Sequence, residues 1–288
     1  MQIKKFKLSE LKIDDRYVIS RPLKPEFHKI FLAKFPNFPP ITVNGENMVI
    51  SGHDSYEFMK NNGKIYSEVI VYDTDIKNSL YHAYNFREII APLNMFEKLF
   101  FLRDILKHSD IRELYERTKI GIKVDDILIE LLPILTGDMF RDLLSDNLLS
   151  LKAATRICSF KTADRIALAR MFSEVRCSNS SQLIILDMIS EICFRDKSNV
   201  EEVLRKIGYN DLCSNECQST KIVEALHKLR FPLYSEEENR WSVDIQNVNI
   251  PYRFRVNHSP FFEKKGVELT LFLDSLDVLK EVTDKIRN

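Results

Sequence analysis

The stretch from Pro39 to Leu102 constrains the fold of this chain more than any other. It opens PPITVNGENMVISGHDSYEFMKNNGKIYSEVIVYD. Ile41 and Val43 sit in a short alternating run that reads as a strand, and Asn44-Gly45 is the strongest short hairpin signal a sequence can carry. Met48 to Ser51 reads as the returning strand. Gly52-His53-Asp54-Ser55 ends that strand and opens a helix, Tyr56 to Asn61, which Gly63 stops. Glu68 to Tyr72 is a third, apolar strand. A strand, a glycine and a helix start in that order leave backbone N–H groups facing outward, which suits an anion and phosphate above all. The same residues have a plainer use, because Asp54 or Ser55 can cap its own helix. Both readings stand on the residues alone.

This stretch resembles the N-terminal domain shared by ParB partition proteins and the sulfiredoxins. In that family a hairpin leads to a Gly-Glu-Arg-Arg or Gly-His-Arg turn, then a helix, a glycine and a strand. A segment of the type Asn-x-Gln-Arg-Glu-x-Leu-x-Pro follows and opens the next helix. Here Arg87-Glu88-Ile89-Ile90-Ala91-Pro92 matches its second half, and Asn94-Met95-Phe96-Glu97 caps the helix after it. The resemblance implies a nucleotide site, for CTP or another nucleotide with magnesium, at Gly52, His53, Asp54, Ser55, Arg87 and Glu88. Asp54-Ser55 stands where the family carries its arginine pair, Tyr84 where its asparagine falls, and Ala83 where a glutamate is common. The expected consequence is weak or absent binding of CTP. A sulfiredoxin needs a cysteine at the helix-opening turn, and Ser51 to Ser55 has none.

Charge does not by itself point to a partner. Lys+Arg and Asp+Glu balance at 42 each, so any nucleic acid must be met by a local patch. The opening MQIKKFKLSE lacks the apolar run of a signal peptide, and no run of membrane-spanning length appears. Five cysteines, an odd and sparse set, suit a reducing cytoplasm. Cys213 and Cys217 lack a second pair and the six histidines lack ligand spacing, so no metal site is expected.

Taken in order, Ile3, Phe6, Leu8 and Leu11 suggest an opening strand and turn, Arg16 to Ile19 an extended piece, and Pro25 to Phe35 a helix. After Pro92 nearly every signal to Arg195 is helical. Helices are expected over Met95 to Lys107, Ile111 to Arg117 behind Asp110, Ile127 to Leu135 behind Asp125, and Met139 to Leu144. Ser150 is expected to cap Leu151 to Phe160, Thr162 to cap Ala163 to Val175, and Ser181 to cap Gln182 to Phe194. Helix, short turn and helix around Gly121 outline a helix-turn-helix. The ParB resemblance places one there, followed by a partial likeness at Leu148-Leu149-Ser150-Leu151-Lys152-Ala153-Ala154. Further on, Ser198 with Glu201 reads as a capping box, Asp211 to Ser219 as a polar loop, and Lys221 to Leu229 as a short helix. Ser235 with Glu238 reads as the cap of a helix through Val248. Two alternating strands, around Phe254 and Leu269, and a closing helix, Leu276 to Ile286, complete a small α/β module.

The charges are unevenly placed along the helical part. From Ile120 to Ser150 the acids Asp125, Asp126, Glu130, Asp138, Asp142 and Asp146 face only Lys123 and Arg141. A helix entering the major groove needs Arg, Lys, Asn or Gln at its front. Leu151 to Cys177 is the reverse, with Lys152, Arg156, Lys161, Arg165, Arg170 and Arg176 against Asp164 and Glu174. If DNA is bound, Lys152, Arg156, Lys161, Arg165 and Arg170 are the expected phosphate contacts; otherwise they form a solvated helix face.

The reading is therefore an α+β protein in three parts. A ParB/sulfiredoxin-like domain covers 1–92, a helical domain with a helix-turn-helix outline covers 93–195, and C-terminal helices with the α/β module cover 196–288. The resemblance implies a cytoplasmic, DNA-associated protein of partition or gene-regulation type, with a ParA-type ATPase as partner. The family also dimerises through C-terminal ends, and this module could pair by its strand edges or pack on its own chain. A nucleotide-dependent phosphotransferase or nucleotidase on the same fold, and a non-catalytic interaction scaffold, are the alternatives.

Overall fold

The hairpin sits where the sequence places it, at the centre of a mixed sheet. The computed structural model of the protein describes residues 2–19, 40–213, 219–248, 254–259, 262–263 and 266–273. Strands β1 (Gln2–Lys7), β2 (Lys12–Ile13), β3 (Ile41–Val43), β4 (Met48–Ser51) and β5 (Tyr66–Val71) form one sheet in the order β1-β5-β3-β4-β2. β3 pairs with β4 antiparallel and with β5 parallel, while β1 runs antiparallel to β5 and β2 parallel to β4. The Asn44 side chain builds the hairpin turn by accepting from the N–H groups of Glu46 and Met48, at 3.0 and 2.9 Å. An Asx turn of this kind takes the place of a backbone turn.

The period of two in the strands decides their faces. Ile41, Val43, Val49 and Val69 share a buried cluster with Leu8, Leu11 and Tyr56, the last from helix α1 (His53–Asn61). Thr42 and Ile50, which alternate with these residues, are buried too. The crossover from β4 through α1 to β5 thus returns the chain parallel to β3, beside the hairpin. Helix α2 (Ile76–Ile90) then packs against β4. Its Asp75 cap accepts from Asn78 N–H at 2.7 Å. Tyr84 stacks on Phe101 of helix α3 (Met95–Ile105), with ring centroids 4.3 Å apart. Asn94 and Glu97 make the capping box of α3 in both directions, as expected.

The helical run continues with α4 (Ile111–Arg117), α5 (Asp126–Leu135), α6 (Asp138–Ser145), α7 (Leu151–Cys158), α8 (Thr162–Glu174) and α9 (Asn179–Asp196). Asp110, Asp125 and Ser150 cap α4, α5 and α7 as the sequence suggested. One buried amide ties the beginning of α7 to α9. Gln182 Oε1 accepts from Ser150 N–H at 2.9 Å, and its Nε2 donates to the Leu148 carbonyl at 2.9 Å. Buried polar groups persist when they are satisfied in this way.

The chain divides into two compact units, Met1–Leu186 and Asp187–Asn288. The sheet and helices α1 to α8 lie in the first. The second contains α10 (Val200–Lys206), α11 (Tyr209–Cys213), α12 (Ser219–Arg230), α13 (Pro232–Asn247) and the antiparallel hairpin of β6 (Phe254–His258) with β7 (Val267–Leu271). Arg195 ends α12 from outside by donating to the carbonyls of Arg230 and Leu229, at 2.7 and 3.0 Å.

Several local expectations need correction. Arg16 to Ile19 is not a strand: Asp14 caps a 3-10 turn over Asp15–Tyr17 by accepting from Arg16 N–H. Thr162 lies inside α8, whose N-cap is Lys161, and Ser178 rather than Ser181 accepts at the start of α9. Asn199, accepting from Glu202 N–H at 2.9 Å, caps α10 in place of Ser198. Ser235 is likewise inside a helix, because Pro232 opens α13 one turn earlier; proline loses nothing at a position whose N–H has no helical acceptor. Asp211 to Cys213 is helical, not loop. The helices expected at Pro25 to Phe35 and Leu276 to Ile286 lie outside the described residues.

Candidate functional site

The helix start at Gly52 forms one wall of a cavity of about 270 Å³ in the first unit. Gly52 makes the turn from β4 into α1 with φ at +79°, where residues with a Cβ are strained. Space demands glycine as well, because a Cβ there would meet the Pro40 carbonyl oxygen at 2.7 Å and Ile41 Cα at 2.9 Å. Gly52, His53, Asp54 and Ser55 line the cavity from this side, and Arg87 lines it from α2. Five of the six residues read from the sequence as a nucleotide site are thus brought together.

The sixth is not among the residues lining the cavity. Glu88 is bonded to Tyr84 OH at 3.4 Å and to Leu93 N–H at 3.3 Å, and pairs with Lys98 Nζ at 3.5 Å. Neighbours on a helix are about 100° apart around its axis, so Arg87 and Glu88 cannot both serve one small pocket from the last turn of α2. The segment Arg87 to Ile90 ends α2 and does not open α3, which starts five residues after Ile90 with Asn94 as its own cap.

Inside the cavity Arg87 Nη1 pairs with Asp54 Oδ2 at 3.5 Å. Asp54 therefore occupies the charge that a phosphate would need. Two other polar atoms are buried without a hydrogen-bond partner, His53 Nε2 and Arg87 Nε. The Val49 carbonyl favours the charged form of the His53 ring. Burial pushes the His53 pKa down to about 4, against the smaller opposing effects of that carbonyl and of Asp54. His53 is neutral at physiological pH. Ser51, also in the wall, shares a hydrogen bond of 3.1 Å with His82 Nε2. Burial lowers the His82 pKa as well. Tyr17, Ile50, Ala83 and Phe86 supply much of the apolar lining. The sequence reading did not include Tyr17 or Phe86; their only sequence signal was an aromatic next to a site residue in one case and none in the other.

The second group of sequence-selected residues lies on α7 and α8, joined by the three residues Ser159 to Lys161. Lys152, Arg156, Lys161 and Arg170 are exposed, while Ala153, Ala154, Ile157, Leu168, Met171 and Phe172 face the core. Arg165 is half-buried and partly engaged: its Nε donates to the Phe160 carbonyl at 2.7 Å and so braces the turn. The helix-turn-helix outline around Gly121 comprises α4, an irregular connection of eight residues and α5. Asp126, Ile127, Glu130 and Pro133 are the exposed residues within α5, so its surface is acidic and apolar. Among the described residues no cluster of side chains is placed to hold a metal ion, and no helix is long and apolar enough to cross a membrane.

No family model matches this chain, and no curated protein matches it. Two solved structures are similar in fold at low identity. One, the C2221 form of a pNOB8-like ParB-N domain, is 15% identical with a TM-score of 0.41, over 64% of this chain and 92% of that one. The other, a pNOB8-like ParB N-domain, is 16% identical with a TM-score of 0.39, over 79% of this chain and 95% of that one. The likeness to the ParB-N fold is weak and distant.

Proposed function

We propose that this chain is a ParB-like DNA-associated protein, of partition or gene-regulation type, that meets DNA through α7, the turn after it and α8. One observation carries the reading: Lys152, Arg156, Lys161 and Arg170 are exposed along two consecutive helices and the three-residue turn between them, which holds Lys161. Lys161 adds a second support. It stands at the N-cap of α8 with no capping bond from its side chain, a position where a cation opposes the helix dipole. A DNA phosphate at that end would take both the cation and the N–H groups of the first turn. α5 offers carboxylates where a reading helix needs donors, so the interaction follows the backbone and selects sequence only modestly.

The experiment is a salt titration of duplex binding. Each phosphate neutralised contributes a slope of about −0.9 in log affinity against log salt, so four contacts predict a slope near −3.6. Lys152→Glu with Lys161→Glu should weaken binding to every duplex and flatten the slope by roughly 2. Binding that is tight, sequence-selective and indifferent to these two changes would refute the placement. A ParA-type ATPase as partner belongs to the same proposal. The Asp54–Arg87 pair disfavours the nucleotide-dependent enzyme, because phosphate would have to displace a carboxylate already seated.

A further inference from the structure

The charges around the cavity at Gly52 run opposite to what an anion site requires. Among its described lining residues are three carboxylates, Asp15, Asp54 and Glu57, and one guanidinium, Arg87. His53 is neutral, so these described lining residues carry a formal charge of −2. Asp54 and Arg87 cancel each other at 3.5 Å, which leaves Asp15 and Glu57, both exposed, without an ion pair among the described residues. The dipole of α1 contributes only about half a positive charge at its N-terminus, and Asp54 in the first turn already answers it. Of the remaining polar features, His53 Nε2 is buried without a hydrogen-bond partner, and the Ser51 hydroxyl is bonded to His82 Nε2. Arg87 Nε is a second buried atom without a partner. Tyr17 and Phe86 also line the cavity, and each ring already has a neighbour: Arg16 lies over Tyr17 at 5.8 Å and His82 stacks on Phe86 at 6.0 Å. At about 270 Å³ the cavity falls just below the range of sites that enclose drug-sized ligands.

We propose that this cavity binds a small organic cation, an amidinium, guanidinium or primary ammonium on a flat or short apolar body, and not a phosphate-bearing nucleotide. The body lies against Tyr17, Ile50 and Phe86. The cationic head takes Asp15 and Glu57 at the rim and, with the His53 proton on Nδ1, places an N–H on Nε2 after a small shift of the ring, which brings that buried atom its missing partner. An orphaned buried polar atom is costly and calls for such an explanation. This inference rests on the cavity alone and is independent of DNA binding by α7 and α8.

The test uses a matched pair of probes, benzamidinium and benzoate, with magnesium-CTP as a third, added to the full chain while amide and imidazole NMR signals are followed. Benzamidinium should shift His53, Ser55 and Phe86 with a dissociation constant on the order of millimolar, as befits a fragment. Benzoate and magnesium-CTP at the same concentrations should leave those signals unmoved. Glu57→Gln and Asp15→Asn, both at exposed positions, should each weaken benzamidinium about two- to five-fold. Asp54→Asn should uncover Arg87 and turn the preference toward benzoate, with an unchanged circular-dichroism spectrum as the check on folding. An arginine-bearing peptide against agmatine separates a protein tail from a free amine as the source of the cation. Tighter binding of benzoate or magnesium-CTP than of benzamidinium by the unaltered chain would overturn the proposal. So would the absence of any shift at the cavity residues with benzamidinium, or rim substitutions that leave its affinity unchanged.

Discussion

Acidification should destabilise the first unit through one imidazole. The His53 ring is largely buried just after β4 and has no partner at Nε2. Burial holds its pKa at about 4, against an ordinary value of 6.5. In the unfolded chain the ring takes a proton below pH 6.5; in the folded chain it resists one until about pH 4. The effect is therefore absent above pH 6.5 and grows by about 1.4 kcal/mol per pH unit as pH falls toward 4. Over the 2.5 units between the two values it amounts to roughly 3 kcal/mol, a large part of the stability of a typical domain. His82 acts in the same direction, because burial lowers its pKa too. The carboxyls of Asp14 and Asp104 are held below their usual range, the first by its hydrogen bond to Arg16, the second by Arg103 and Lys107 in spite of its burial. They respond only at the acid end, below about pH 4.5.

Urea unfolding followed by far-ultraviolet circular dichroism at pH 7.5, 6.5, 5.5 and 4.5 measures this slope. Fluorescence would follow the wrong part of the chain, since the one tryptophan, Trp241, is in the second unit. His53→Gln removes the titration and should flatten the profile by about 1.4 kcal/mol per pH unit between pH 6 and 4.5, leaving the residual slope of His82. A direct NMR titration of the His53 ring supplies the second reading. A ring that titrates near 6.5, or variant and parent profiles that run parallel, would show that the imidazole is not buried as described.

Two further substitutions probe the frame around the site. Gly52→Ala should cost about 2–4 kcal/mol by thermal or chemical unfolding, because a left-handed backbone and a Cβ against the Pro40 carbonyl act together; a change under 0.5 kcal/mol would contradict the geometry of the turn. Gln182→Leu should cost about 2–4 kcal/mol, since Ser150 N–H and the Leu148 carbonyl lose their partner and the former is left without an acceptor; retention of full stability would mean that solvent replaces the amide at that joint.

What could be read from the sequence depended on how locally each feature is determined. The Asn44 turn, the Gly52 transition and the caps at Asn94, Asp110, Asp125 and Ser150 are decided within four residues, and all appear where expected. Misplaced caps arose where several hydroxyls compete within a few positions. Ser178, Ser180 and Ser181 are all able to accept, and the helix starts with the first of them because Gln182 must reach back to Leu148 and Ser150, over 30 residues away. Ser198 gave way to Asn199 by a single residue, which a capping pattern alone cannot resolve, since Glu201 and Glu202 both satisfy it.

The division between Arg87 and Glu88 shows why the site itself was only partly legible. As a dipeptide they suggest a shared role, because opposite charges side by side invite one ligand. On a helix they point in different directions, and each is claimed by tertiary neighbours that no local pattern names: Arg87 by Asp54, 33 positions earlier, and Glu88 by Lys98 and the Leu93 N–H. The same pairing settles the meaning of Asp54. In the sequence it is equally a helix cap or an obstacle to phosphate. In the fold Gly52 occupies the cap position with no side-chain bond, while Asp54 reaches across to α2 and pairs with Arg87, the one arginine among the described lining residues. Asp15, Asp54 and Glu57 thereby set carboxylates around a backbone that resembles an anion cradle. Net charge over a pocket depends on which residues the fold gathers there, and Asp15 and Glu57 entered it from a 3-10 turn and an exposed helix face that sequence spacing could not have joined.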